Sequence, residues 1–121
     1  MRVIVQKDYD RASAWAAAYV AGAIRRCKPT PSRPFVLGLP TGSSPLGTYK
    51  ELIRLYKAKK VSFANVVTFN MDEYVGLPKS HPQSYYSFMW DNFFSHINIK
   101  KSKINAPLFC KLMINQFFFI F

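Results

Sequence analysis

"FVLGL", residues 35–39, is an uninterrupted apolar run that passes through "PTGSSPLG" into a helical pattern. No other stretch constrains the chain as strongly. A run without polar alternation suits a strand buried on both faces, the environment of a parallel sheet flanked by helices. Parallel strands need a crossover, and a helix opening directly after a strand is the usual one. Thr41, Gly42, Ser43, Ser44 and Gly47, all small or hydroxyl-bearing, surround that helix start. The order Ser44-Pro45 predicts a Ser N-cap and a Pro at the first helical position, where its missing N–H costs nothing. Tyr49, Leu52, Ile53 and Tyr56 then supply the stripe that faces a core.

The rest of the chain repeats this alternation. "RVIVQ", residues 2–6, is a short β-branched run that reads as a strand. Asp8 or Asp10 can cap the helix that follows. Trp15, Ala16, Tyr19, Val20, Ala23, Ile24 and Cys27 fall at i, i+3, i+4 and i+7 spacing and predict one buried stripe. "KPTPSRP" stops that helix, and Cys27 reads as a packed core thiol rather than a nucleophile. "VVTFNM", 66–71, is a third strand running into "DEYVGLP", and "SYYSFMWDNFFSHI", 84–97, is a further helical stretch capped by Ser84. The pattern predicts an α/β fold: three layers, α/β/α, around a mostly parallel Rossmann-like sheet with right-handed crossovers. Residues 1–105 carry it. Residues 106–121, "APLFCKLMINQFFFIF", form a divergent apolar tail without helical or alternating period. An exposed FFFIF would be an aggregation hazard, and a buried strand is the alternative. Phe, Ile, Lys and Asn, which dominate this tail, can all be encoded with A and T alone, as in read-through into AT-rich sequence.

A chain of 121 residues buries about two-thirds of its extended surface as one domain. Two cysteines, Cys27 and Cys110, are too few for a disulfide framework and lie in no metal-ligand spacing. A reducing, cytoplasmic setting fits. The N-terminal apolar run is too short for a signal peptide, and no stretch approaches the roughly 20 apolar residues of a membrane span. The chain therefore reads as soluble and unprocessed, with no membrane partner. Its net charge of +11 raises the question of nucleic acid. Yet Arg25, Arg26 and Lys28 close one helix, Lys57, Lys59 and Lys60 another, and Lys100, Lys101, Lys103 and Lys111 lie near the C-terminus. Cations there complement helix dipoles. With no nucleic-acid-binding motif present, no nucleic-acid partner is expected.

In a parallel α/β sheet, ligands bind beyond the carboxyl ends of the strands. Two candidates arrive there: the turn Thr41, Gly42, Ser43, Ser44, and Asp72 with Glu73. The turn offers backbone N–H groups at a helix start together with hydroxyls, the chemistry of a phosphate site. No Lys follows the glycine as in a Walker loop, and a plain capped turn is the alternative. Gly42 lets the backbone approach an anion closely. Asp72 would face the same crevice as an acid–base group, or simply form the next turn. Neighbouring side chains diverge, so one of Asp72 and Glu73 faces elsewhere. His81 and His96 make no metal set with them, and no metal or organic cofactor is expected. A phosphate site beside a carboxylate suits proton transfer on a sugar phosphate, a small-molecule partner.

Taken together, "LGLPTGSSPLGTYKEL", "VVTFNMDEYVGLP" and "HPQSYYSFM" closely resemble the glucosamine-6-phosphate deaminase (isomerase) family over residues 1 to about 105. Related isomerases and 6-phosphogluconolactonases share the phosphate turn, whereas the second and third motifs are more particular to the deaminases. The resemblance implies an enzyme of amino-sugar catabolism that converts glucosamine 6-phosphate and water to fructose 6-phosphate and ammonia, without cofactor. It implies that Asp72 accepts and shuttles the C2 proton, and that Gly42 and Ser43, with Thr41 and Ser44 beside them, bind phosphate. It also implies homo-oligomers, some under allosteric control. Family members are longer, and their "GxDGHIAFNEP"-type segment, used for ring opening, does not occur here. The expectation is therefore a truncated chain whose own catalysis is absent or severely weakened. A 6-phosphogluconolactonase-like enzyme and a non-catalytic or basic binding module are the alternatives.

Overall fold

A computed structural model describes residues 3–105 and the backbone of 118–119. The elements run α1 (Tyr9–Cys27), β1 (Phe35–Leu39), α2 (Leu46–Lys57), β2 (Val66–Asn70), α3 (Tyr85–Asn92), β3 (Ile104–Asn105) and β4 (Phe118–Phe119), with 3-10 turns at Phe94–His96 and Lys101–Lys103. Every strand pairing among the described residues is parallel, in the order β3-β2-β1-β4. The remaining residues of the expected apolar tail, 106–117, 120 and 121, lie outside the described residues, Cys110 and Lys111 among them.

Side-chain alternation along the sheet shows which face the helices cover. Leu37 stands beside Thr68 and Leu39 beside Asn70, while Ile104 follows on Thr68. All five are buried. The opposite face presents Val36, Val67 and Phe69, each half-exposed. The described residues thus supply the sheet and one helical layer. Tyr49 and Leu52 of α2 and Phe63, Met89 and Phe93 fill the space between them. The Tyr49 and Phe93 rings stack at 5.0 Å and the Phe63 ring meets Phe93 edge-on at 5.5 Å. Each such side chain contributes about 1.5–3 kcal/mol by leaving water.

Capping follows the sequence in part. Asp8 accepts from the Arg11 amide at 2.8 Å and opens α1, and Lys28, at φ 46°, closes it with its N–H on the Arg25 carbonyl. Ser84 caps α3 through the Ser87 amide at 3.0 Å. That helix stops at Asn92 rather than continuing to residue 97, because Phe93 leaves helical geometry at φ −146° to enter the core.

Three expectations change. Residues 3–6 form no strand: Val3 and Val5 are 71% and 87% exposed, and no strand among the described residues pairs with them. A strand without a neighbour has nowhere to place its N–H and C=O groups except water. The buried stripe of α1 is Ser13, Ala17, Val20, Ala21 and Ile24, rotated from the expected one, and Trp15 and Tyr19 stack on each other at 5.2 Å on the exposed side. Small residues win the inner face because α1 runs against α2 at Gly47, where a Cβ would strike Ser13 and Tyr9. Cys27, at the end of α1, is half-buried and free rather than fully packed.

Candidate functional site

Strands β1 and β2 end side by side. Leu39 is the register partner of Asn70, and the Met71 amide donates to the Leu39 carbonyl at 3.3 Å. The turn after β1 and the loop after β2 therefore leave the sheet at one level. This brings Thr41–Ser44 and Asp72 to a common mouth, as the sequence predicts for adjacent parallel strands. Gly42, Ser43, Ser44 and Asp72 are all exposed there.

The turn keeps its donors free. Gly42 sits at φ +102°, in the region an L side chain rarely adopts. Among the described residues, no amide of 41–44 donates within the chain. α2 begins at Leu46, and Pro45, already helical at φ −82° and ψ −7°, precedes it without any side-chain cap. The predicted Ser44 cap is thus not made. Tyr9 of α1 takes its place, its hydroxyl accepting from the Gly47 amide at 2.8 Å. On the other side the buried Tyr49 hydroxyl donates to the Pro40 carbonyl. Burial pushes the Tyr49 phenol pKa up, so this donor stays protonated.

The two neighbouring carboxylates have separate fates. Glu73 turns back onto α3 and accepts from the amides of Tyr85 and Tyr86, both at 2.9 Å, and of Tyr74 at 3.0 Å. With Ser84 on the Ser87 amide, the first three amides of α3 are satisfied. Asp72 makes no such contact and remains at the mouth. Sequence reasoning anticipated that the pair diverges; the structure identifies Glu73 as the one turned inward.

Two residues at this mouth escaped the sequence reading. Tyr85, placed at the start of α3, packs its ring on Tyr74 at 4.9 Å, with the two hydroxyls 3.4 Å apart. Its phenol pKa is raised, first by the hydrogen bond to Tyr74 and then by the charge on that group. Loss of hydration and then the Asp72 charge add smaller rises, and the Thr41 hydroxyl pulls it down. The "SYYSF" string predicts helix only, and nothing in it marks the first Tyr as the one facing Tyr74. Asn70, 3% exposed at the end of β2, leaves both side-chain amide atoms unpaired among the described residues. A polar residue at a core-facing strand position was the available signal.

His81 accepts from the Gln83 amide within its own loop, and His96 bonds the Asp91 carbonyl. Among the described residues no group of three or more His, Cys, Asp or Glu side chains could hold a metal. None of their helices is long and apolar enough to cross a membrane.

No family model matches the chain. The glucosamine-6-phosphate deaminase of Bacteroides thetaiotaomicron is 70% identical over 105 residues, covering 87% of this chain and 39% of that protein. That of Borreliella burgdorferi is 61% identical over 105 residues, with the same two coverages, 87% and 39%. Among solved structures, a monomeric glucosamine-6-phosphate deaminase matches with a TM-score of 0.80 at 42% identity, over 88% of this chain and 42% of that one. A 6-phosphogluconolactonase from Plasmodium vivax matches with a TM-score of 0.65 at 24% identity, over 84% and 34%, a likeness of fold alone. The chain therefore spans about two-fifths of the length of the curated relatives it matches. That solved deaminase is monomeric, so the expected homo-oligomer gains no support from it.

Proposed function

Because the chain belongs to the glucosamine-6-phosphate deaminase family, as a portion spanning 39% of its curated relatives, we propose that its strand-end mouth is the phosphate-holding and proton-moving part of a deaminase site. The reaction is glucosamine 6-phosphate and water to fructose 6-phosphate and ammonia, a hydrolytic step of amino-sugar catabolism. The phosphate would sit on the free amides of Thr41, Gly42, Ser43 and Ser44, with their hydroxyls adding donors. Each charge-assisted bond there contributes roughly 1.5–3 kcal/mol. Asp72 would accept the C2 proton of the opened sugar and return it to C1, leaving an imine at C2 to which water adds as ammonia leaves, giving the C2 ketone. That hydrogen is acidic beside the C1 aldehyde, and such positioned proton transfer supplies about 10²–10⁴ in rate.

One observation carries this reading: amides around a positive-φ glycine and a carboxylate, both without partners among the described residues, leave adjacent strand ends at one level. A phosphorylated substrate and the free thiol of Cys27 suit a cytoplasmic enzyme. The family's "DGHIAFNEP"-type segment is not in this sequence, so the chain alone is expected to bind the sugar phosphate without detectable turnover.

Titrating the 121-residue chain with glucosamine 6-phosphate and with glucosamine, followed by amide NMR, tests the reading. Shifts at Gly42–Ser44 with the phosphorylated sugar only, lost in Gly42→Val, are expected. No shift at the turn overturns the phosphate site. Hydrolysis of 6-phosphogluconolactone, with no response to the amino sugar, overturns the substrate assignment.

A further inference from the structure

We propose that Tyr9 is a positioning residue for the phosphate turn: its hydroxyl does the capping that Ser44 would otherwise do, and so leaves the turn's amides and hydroxyls free for the anion. The inference rests on the phosphate reading of residues 41–44 given above.

Tyr9 opens α1, yet its hydroxyl works 34 to 38 residues away. It accepts from the Gly47 amide at 2.8 Å, in the first turn of α2. Its single hydrogen is shared between the carbonyls of Ser43 at 3.2 Å and Ser44 at 3.0 Å. A helix start leaves several N–H groups without partners, and a local Ser side chain normally satisfies one of them. Here an external hydroxyl does so, and Ser44 is spared. Had Ser44 capped α2, its oxygen would be turned onto the helix and away from the mouth.

The carbonyl contacts matter equally. A trans peptide points its C=O and N–H in opposite directions. Drawing the Ser43 carbonyl toward α1 therefore directs the Ser44 N–H away from α1. Tyr49 acts likewise on the Pro40 carbonyl, and so on the Thr41 N–H. Two tyrosines from two helices thus hold the turn by both ends, while Gly42 between them supplies the bend. Gly47 makes the reach possible, because any Cβ there would press on Ser13 and on the Tyr9 ring.

The test uses the full 121-residue chain and its Tyr9→Phe variant, which keeps the ring and removes the hydroxyl. Inorganic phosphate and glucosamine 6-phosphate are titrated separately, with the Gly42–Ser44 amides as probes. Tyr9→Phe is expected to bind both about five- to tenfold more weakly, by one common factor, which is the loss of one to two ordinary hydrogen bonds. A purely structural role would lower the melting temperature and leave phosphate affinity unchanged; that result overturns the inference. Should Tyr9→Phe not fold, Ser44→Ala decides: exchange protection of the Gly47 amide is expected to persist while phosphate binding weakens. Loss of that protection would make Ser44 the cap and overturn the inference. If the unsubstituted chain shows no shift at Gly42–Ser44, the phosphate reading and the inference fall together. Unweakened binding by Tyr9→Phe removes the inference alone.

Discussion

Glu73→Ala and Asp72→Ala should behave oppositely, although the two residues are chain neighbours of identical charge. Glu73 satisfies the amides of Tyr85 and Tyr86, at 2.9 Å each, at the start of α3. Removing an N-terminal acceptor of this kind costs about 0.5–2 kcal/mol. The carboxylate is half-exposed, so water replaces part of what is lost, and about 1–2 kcal/mol is expected for the two bonds together. That corresponds to a melting temperature lower by roughly 3–8 °C. The loss is local as well: hydrogen exchange at Tyr85 and Tyr86 should speed up more than at Leu37 or Leu52. Asp72 has no such partners among the described residues, so Asp72→Ala should lie within about 0.5 kcal/mol of the unsubstituted chain. Thermal melts of both variants with amide exchange by mass spectrometry or NMR provide the measurement. Equal destabilisation by the two substitutions would refute the division of labour. So would unchanged exchange at Tyr85 and Tyr86 in Glu73→Ala.

The buried Tyr49 phenol has a pKa above its free value of about 10, so the folded state holds its proton longer than the unfolded one. Its stabilising effect is complete below pH 10 and is lost as pH rises beyond it, by up to about 1.4 kcal/mol per pH unit. Denaturant melts between pH 9 and 11, set on either side of that value, should show this slope, and Tyr49→Phe should lose it. Tyr49→Phe should also cost about 1–3 kcal/mol at neutral pH, because the Pro40 carbonyl is left without its donor. Gly47→Ala should destabilise the chain by prising α1 from α2, and Ser13→Gly in the same chain should recover part of the loss; absence of recovery would place the strain elsewhere.

What was legible in the sequence depended on how locally each feature is decided. Strands β1 and β2, the Ser84 cap and the stripe of α2 rest on neighbours within a few residues and could be read directly, while the α1 cap could be narrowed to Asp8 or Asp10. The mouth was legible too, since adjacent parallel strands bring their following turns together whatever their side chains. The face of α1 was not. With so many alanines the helix carries little periodic contrast, and the close crossing at Gly47 turned Ala17 and Ala21 inward and the larger Trp15 and Tyr19 outward. "RVIVQ" has strand composition, but pairing is a property of two segments, and residues 3–6 have no partner among the described ones.

Composition, spacing and the run from strand to turn to helix were enough to determine the fold class and to point to the strand ends as the place for a candidate site. Tertiary structure alone decided which carboxylate stays free and which hydroxyl caps α2. The reason is one of distance along the chain. Glu73 is turned by amides 12 and 13 residues later, and Ser44 is spared by a tyrosine 35 residues earlier. Hydrogen bonds over such separations exist only once the helices have packed.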